Sequence, residues 1–214
     1  TTANYNTALG YRAGKNTTGT QNTFVGVDAG VTNTSGGNNC FFGYDAGEAV
    51  TTGDGNVYMG FQAAVNAVDG SNNIAIGNVA GTDAVFSIGG HGDRIVLGNN
   101  SNTNAYIKID WTVTSDKRDK IEDGTLGLGL DFVNKLNPKS FYFRKNRDSD
   151  ETAGQKRYGF FAQDILELEG SDNVIIDNED PENLKYKGEH LVPVLVNAVK
   201  ELSAKVEELE AKLG

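Results

Sequence analysis

Along the first half of the chain the apolar residues come in short runs of strand type, each opened by asparagine and closed by glycine. They read "NTALG" at Asn6, "NTFVG" at Asn22, "NCFFG" at Asn39, "NVYMG" at Asn56 and "NIAIG" at Asn73, at spacings of 16, 17, 17 and 17 residues. A second block follows each run at a fixed offset: "YRAG" from Tyr11, "VDAG" from Val27, "YDAG" from Tyr44, "FQAA" from Phe61 and "NVAG" from Asn78. After the insertion "VFSIGGHGD", a degenerate copy, "RIVLG", ends at Gly98, and "AYIKIDWTV" closes the array. One short strand, one glycine turn and one Asn/Gly/Thr corner per period predict one rung of a β-solenoid, with no room for helices. A rung of this size buries only three or four apolar side chains. Several parallel chains around a common axis would supply the missing contact, so the pattern predicts a fibrous repeat homotrimer over a monomeric solenoid.

The last part of the chain has a different period. Val192, Leu195, Val199, Leu202, Val206, Leu209 and Leu213 alternate steps of three and four, with Lys205 and Glu210 at g and e positions, which is the seam of a parallel coiled coil over residues 190–214. A single amphipathic helix packed on its own domain would need a broader apolar stripe. Valine at a with leucine at d leans toward dimers, so the seam alone does not give a trimer. Between repeats and seam a small α+β unit is expected. "LGLDFVNKLN" is a short helix stopped before Pro138, "SFYFRK" and "RYGFFAQ" are strands joined by a polar loop, and "QDILELEG" is a further helical turn or two. "NVIID" and "LKYK" pair as strands around the acidic loop "NEDPEN", which lacks the spacing of a calcium loop.

Composition places the border between the halves. Residues 1–114 hold 19 of the 27 glycines and no proline, whereas 115–214 hold all three prolines and 15 of the 19 basic side chains. The net charge of −10 is spread over both parts and leaves no basic patch for nucleic acid. Cys40 is the single cysteine and only His91 and His190 accompany it, so no disulfide, metal cluster or cofactor site is implied. Cys40 reads as a small apolar residue of a repeat. The opening "TTANYN" carries no signal peptide, and no apolar run is long enough for a bilayer, so a soluble chain without membrane insertion is expected, the C-terminal piece of something longer.

At the border stands "TVTSDKRDK", with Ser115 and Lys120 five residues apart. That spacing is about 140° out of register on a helix and odd on a strand, so the two can meet only across a bend. In a bend, the Ser115 hydroxyl can attack the carbonyl of Thr114 in an acyl shift, leaving an ester for water to hydrolyse. Lys120 is the base if desolvation lowers its pKa toward neutrality. Asp116, Arg118 and Asp119 would then hold the bend. The competing reading is that Ser115 or Asp116 caps a helix and the charges are a solvated face.

"SDKRDK", "LGLDFVNKLNPKSFYFR", "RYGFFAQDI" and "YKGEHLVPVLVNAVKELSAKVEELEAKL" occur in this order. Together they closely resemble the C-terminal intramolecular chaperone domain of bacteriophage tail fibres and tailspikes, a self-cleaving serine peptidase family. The resemblance covers essentially all of 115–214. It departs from the pattern at Asp123, where an aliphatic residue is usual and where Ile121 lies nearer. It implies a trimeric domain that folds the fibre and cuts itself off between Thr114 and Ser115, with Ser115 and Lys120 as a catalytic dyad. Residues 1–114 would then be shaft or tip repeats, similar also to trimeric bacterial adhesin heads. Their partner would be a host cell-surface receptor, glycan or protein, and the product a virion component assembled in the host cytoplasm. Within this family-like region, Tyr158 and Gln163 are expected to pack and hydrogen-bond rather than catalyse. His190 is expected at the start of the last helix and His91 in a loop. The alternative is a non-cleaving trimeric structural adhesin that keeps its trimerisation domain and whose Ser115 is inert.

Overall fold

The computed structural model describes residues 5–83, 86–171 and 173–214. Val85, the first residue of the expected insertion, lies outside them. The chain divides into two compact units, Thr1–Ala105 and Tyr106–Gly214.

The first unit is a β-solenoid. Six three-residue strands, β1 (Thr7–Leu9), β2 (Thr23–Val25), β3 (Cys40–Phe42), β4 (Val57–Met59), β5 (Ile74–Ile76) and β6 (Ile95–Leu97), form one parallel sheet in sequence order. Equivalent residues pair throughout, with Phe24 opposite Phe41, Phe41 opposite Tyr58 and Tyr58 opposite Ala75. Side chains alternate across a strand, so the middle residue of each of these rungs points inward and is fully buried. The inward column is aromatic. Phe24 and Phe41 have centroids 5.3 Å apart and Phe41 stacks on Tyr58 at 4.8 Å. Each ring needs room on its own rung. A Cβ at Gly30 would lie 2.6 Å from the Phe24 ring and one at Gly47 2.7 Å from the Phe41 ring, and both glycines have φ of +59°. At the matching place on the next rung stands Ala64, buried with a φ of 50°.

The repeated asparagine makes each rung specify the next. Its Oδ1 accepts the backbone N–H of the asparagine one rung on, from Asn22 to Asn6, Asn39 to Asn22, Asn56 to Asn39 and Asn73 to Asn56, at 2.8 to 2.9 Å. Its Nδ2 donates to a corner carbonyl, that of Gly19, Gly36, Gly53, Gly70 or His91. Asn22, Asn39, Asn56 and Asn73 are buried, so each satisfies backbone groups that would otherwise be left dry. At Arg94 the ladder ends: its backbone N–H donates to Asn73 Oδ1, but its guanidinium turns to the Ser87 carbonyl. The described part of the insertion contributes Ile88, fully buried, to the core.

The third residue of each strand points outward. Leu9, Phe42, Met59, Ile76 and Leu97 are exposed there, and beyond the strand glycines the exposed Tyr44 and Phe61 stack at 5.4 Å. "AYIKIDWTV" does not form a further rung, since residues 105–113 pair with no strand and are exposed.

The second unit holds α1 (Leu130–Lys135), β7 (Lys139–Arg144), β8 (Thr152–Gly159), α2 (Ala162–Glu169), β9 (Ile176–Asp177), β10 (Lys185–Tyr186) and α3 (Leu191–Leu213). β7 and β8 form an antiparallel hairpin, and β9 pairs antiparallel with β10. The expected strand "RYGFFAQ" is corrected here. The strand starts earlier, at Thr152, where pairing with Arg144 carries it through the polar loop, and it ends at Gly159, after which Phe161 opens α2. The core is small: Phe132, Ile165, Ile175, Ile176, Leu191 and Val194. Glu169, at the end of α2, accepts the backbone N–H groups of Val174, Ile175 and Ile176 at 2.9, 2.7 and 3.0 Å and so pins that segment over the core.

α3 has two apolar faces. Leu191, Val194 and Ala198 are buried on the unit's own core. The seven heptad residues Val192, Leu195, Val199, Leu202, Val206, Leu209 and Leu213 are all exposed. Among the described residues no helix is long and apolar enough to cross a membrane.

Candidate functional site

Ser115 sits at the entrance to a short 3-10 turn, Lys117–Asp119. Asp116 has extended backbone (φ −65°, ψ 132°), and its carboxylate accepts the Arg118 backbone N–H at 2.9 Å, the geometry of a cap. The Arg118 guanidinium returns onto the same carboxylate, Nη2 donating to Oδ2 at 2.6 Å and Nε to Oδ1 at 3.0 Å. The bonds Asp119 N–H to Asp116 O and Lys120 N–H to Lys117 O close the turn at 3.1 and 3.3 Å. The chain is thereby folded back, and Lys120 Nζ donates to Ser115 Oγ at 2.6 Å.

Of the three residues expected to hold the bend, Asp116 and Arg118 do so with side chains and Asp119 through its backbone. Arg118 holds the Asp116 carboxyl below the usual carboxylate range, first through the side-chain bond and then through its backbone N–H. The Arg118 guanidinium is raised in turn by Asp116. A cap and a Ser–Lys contact therefore coexist: Asp116 supplies the cap and leaves Ser115 Oγ to the lysine.

Ser115 and Lys120 are both exposed, as is the whole stretch from 111 to 120. In this contact the lysine is the donor. A lysine base must instead be neutral and accept the Oγ proton, which requires a desolvated surrounding that a single chain does not provide.

The other candidates lie apart from the dyad. Tyr158 is 85% exposed and Gln163 is exposed in the single chain. Tyr158 lies on β8 of the hairpin, whose Tyr142 and Phe143 are exposed too, and Gln163 lies in the first turn of α2. His190 ends the 3-10 turn Gly188–His190 that leads into α3. His91 offers its backbone carbonyl to Asn73 in the first unit. Cys40 is a free thiol, half-buried at the first position of β3. Among the described residues no group of three or more His, Cys, Asp or Glu side chains could hold a metal ion. Residues that sequence reasoning passed over include Glu169, whose cradle closes around a loop and leaves no periodic trace.

Searches of curated proteins and of solved structures each returned no match. Against family models, residues 115–175 match a peptidase family described as the chaperone of endosialidase, and the matched segment opens on Ser115 itself.

Proposed function

We propose that the chain is the C-terminal part of a phage tail fibre or tailspike. Residues 1–114 are fibre repeats that face a host receptor, and 115–214 trimerise and fold the fibre and then release themselves. The observation that carries this reading is the coincidence at one residue: the family match begins at Ser115, and Ser115 Oγ lies 2.6 Å from Lys120 Nζ. In the reaction, Lys120 takes the hydroxyl proton as Oγ forms a bond to the Thr114 carbonyl carbon. The C–N bond breaks and the proton passes to the Ser115 amine. Water then adds to the ester, giving a Thr114 carboxylate and restoring the hydroxyl.

Homotrimer formation is part of the same reading. Two surfaces ask for copies of the chain, the heptad face of α3 and the outward apolar column of the solenoid. Assembly is also what would cover the exposed dyad, remove water from Lys120 and switch the base on after folding.

Purified protein should release two fragments, the downstream one beginning at Ser115 by N-terminal sequencing. Ser115→Ala should stay whole and scatter light as three times the 22.8 kDa chain mass. Lys120→Ala should cut slowly or not at all while assembling normally. Cleavage in Ser115→Ala, or at another bond, would sink the dyad. The exposure of both groups favours a second reading, a structural adhesin that keeps its trimerisation domain. An intact mass for assembled wild-type protein after long incubation at mildly alkaline pH would select it.

A further inference from the structure

Between β6 and the Ser115 turn runs a segment that behaves like a strand without a sheet. Ile107, Ile109, Trp111 and Val113 alternate with Lys108, Asp110 and Thr112, the period of a strand with one apolar face. In the single chain this face is largely exposed: the four side chains are 54, 77, 73 and 66% accessible. Among the described residues no hydrogen bond involves 105–113, and the backbone bends at Lys108–Ile109 instead of running straight.

We propose that residues 105–113 are an assembly strand. Copies of this chain bring the segment together in parallel, with Ile107, Ile109, Trp111 and Val113 turned toward the shared axis. This rests on the homotrimer reading above. Three observations point to a second copy as the occupant. The segment follows closely on a surface of the same demand, the exposed Ile95 and Leu97 of β6. Chains joined in parallel at β6 start their 105–113 segments eight residues beyond Leu97, within reach of one another. The outward face carries Lys108 and Asp110 one pleat apart, so between parallel copies in register each Lys108 lies diagonal to Asp110 of the partner subunit, within reach of its long side chain. The apolar face has no charge to repel its copies. An ordered strand ending at Val113 would also fix the Thr114 carbonyl, the upstream half of the bond at Ser115.

Trp111 is the only tryptophan of the chain, so its fluorescence reports this segment alone. The probe is the full chain carrying Ser115→Ala, kept whole by the lost hydroxyl, with mass by light scattering and Trp111 emission and acrylamide quenching on the same sample. The expected result is a trimer whose tryptophan is blue-shifted and quenched several-fold less than a free tryptophan amide. Adding Ile109→Asp should return the emission toward the free value while the α3 seam still holds three chains. A trimer with freely quenched Trp111 overturns the assembly strand and leaves the homotrimer standing. A monomer overturns both. An Ile109→Asp trimer with Trp111 as shielded as in its parent also overturns the strand.

Discussion

Asn56→Ala tests whether the asparagine column, more than apolar burial, holds the solenoid in register. The side chain is fully buried and makes three bonds: Oδ1 accepts Asn73 N–H at 2.9 Å, and Nδ2 donates to the Gly70 carbonyl at 2.9 Å and to Asn39 Oδ1 at 3.1 Å. Alanine leaves two backbone groups, the Asn73 N–H and the Gly70 carbonyl, inside without partners. Asn39 Oδ1 keeps its bond from the Asn56 backbone. At about 1–3 kcal/mol per orphaned group the loss is roughly 2–6 kcal/mol, a large fraction of the 5–15 kcal/mol typical of a domain. The comparison is Asn66→Ala, where an exposed amide bonds the Thr82 carbonyl at 3.3 Å and the cost should stay within about 0.5 kcal/mol. Urea denaturation of both variants gives the difference. Native-state hydrogen exchange should place the damage at the Asn73 amide and its neighbouring rungs, because stability along a solenoid is local. Equal costs for Asn56→Ala and Asn66→Ala would refute the reasoning.

Gly47→Ala should cost at least about 2 kcal/mol, from an unfavourable φ and a clash with Phe41, whereas Ala64→Gly should change stability by less than about 1 kcal/mol, since Ala64 already bears that strain; thermal unfolding separates them. The Tyr58 hydroxyl is buried without a well-formed hydrogen bond, and burial, only partly offset by Asn73, pushes its pKa up to about 12. Its folded pKa is raised, so its contribution is whole below about pH 10 and is lost as pH rises through about 12, up to about 3 kcal/mol; Tyr58→Phe should flatten alkaline unfolding over that window without loss at pH 7. Asp116 has the opposite sign, a depressed folded pKa, so the turn's carboxylate bonds persist at pH values above the ordinary aspartate range and fail as pH falls through the depressed value; the Arg118 amide shift in an NMR titration should report it, and Asp116→Asn should remove the transition. Leu202→Asp with Leu209→Asp should reduce the assembled mass, because both replace exposed seam residues by charges that face their own copies.

The solenoid was legible because a repeat states its rule several times: five asparagines at steps of 16 or 17 residues already mark a position that only one side-chain chemistry satisfies. What remained hidden were conformations without their usual residue. Asp28, Asp45, Gln62 and Val79 all turn with φ above +50°, and in that row no glycine gives the turn away. In the second unit the local signals stopped where distant partners decide. β8 extends into a polar loop because β7 pairs with it, and α1 starts at Leu130, whose N–H is held by Glu201, 71 residues away, at 2.9 Å. The Ser115–Lys120 bend could be foreseen because no regular element lets residues five apart face each other. Its electrostatic surround could not, since that depends on what covers it.

The corner carbonyl that receives each asparagine belongs to Gly19, Gly36, Gly53 and Gly70, and then to His91. Between Asn73 and Arg94 the step is 21 residues instead of 17, yet the ladder bond from Arg94 to Asn73 is still made at 3.0 Å. The column thus counts turns of the coil and not residues along it. The acceptor is main chain, so the bond itself does not read the side chain at that corner, but a Cβ at Gly19, Gly36, Gly53 or Gly70 would collide with the carbonyl of the following corner; a side chain is carried there only at His91, and the peptide leading to it can lengthen without shifting the strands. The corner before His91 carries four residues more than the other rungs, and its described part is built into the unit, with Ile88 in the core and the Ser87 carbonyl receiving the Arg94 guanidinium, so the coil gains length there while β5 and β6 keep their pairing.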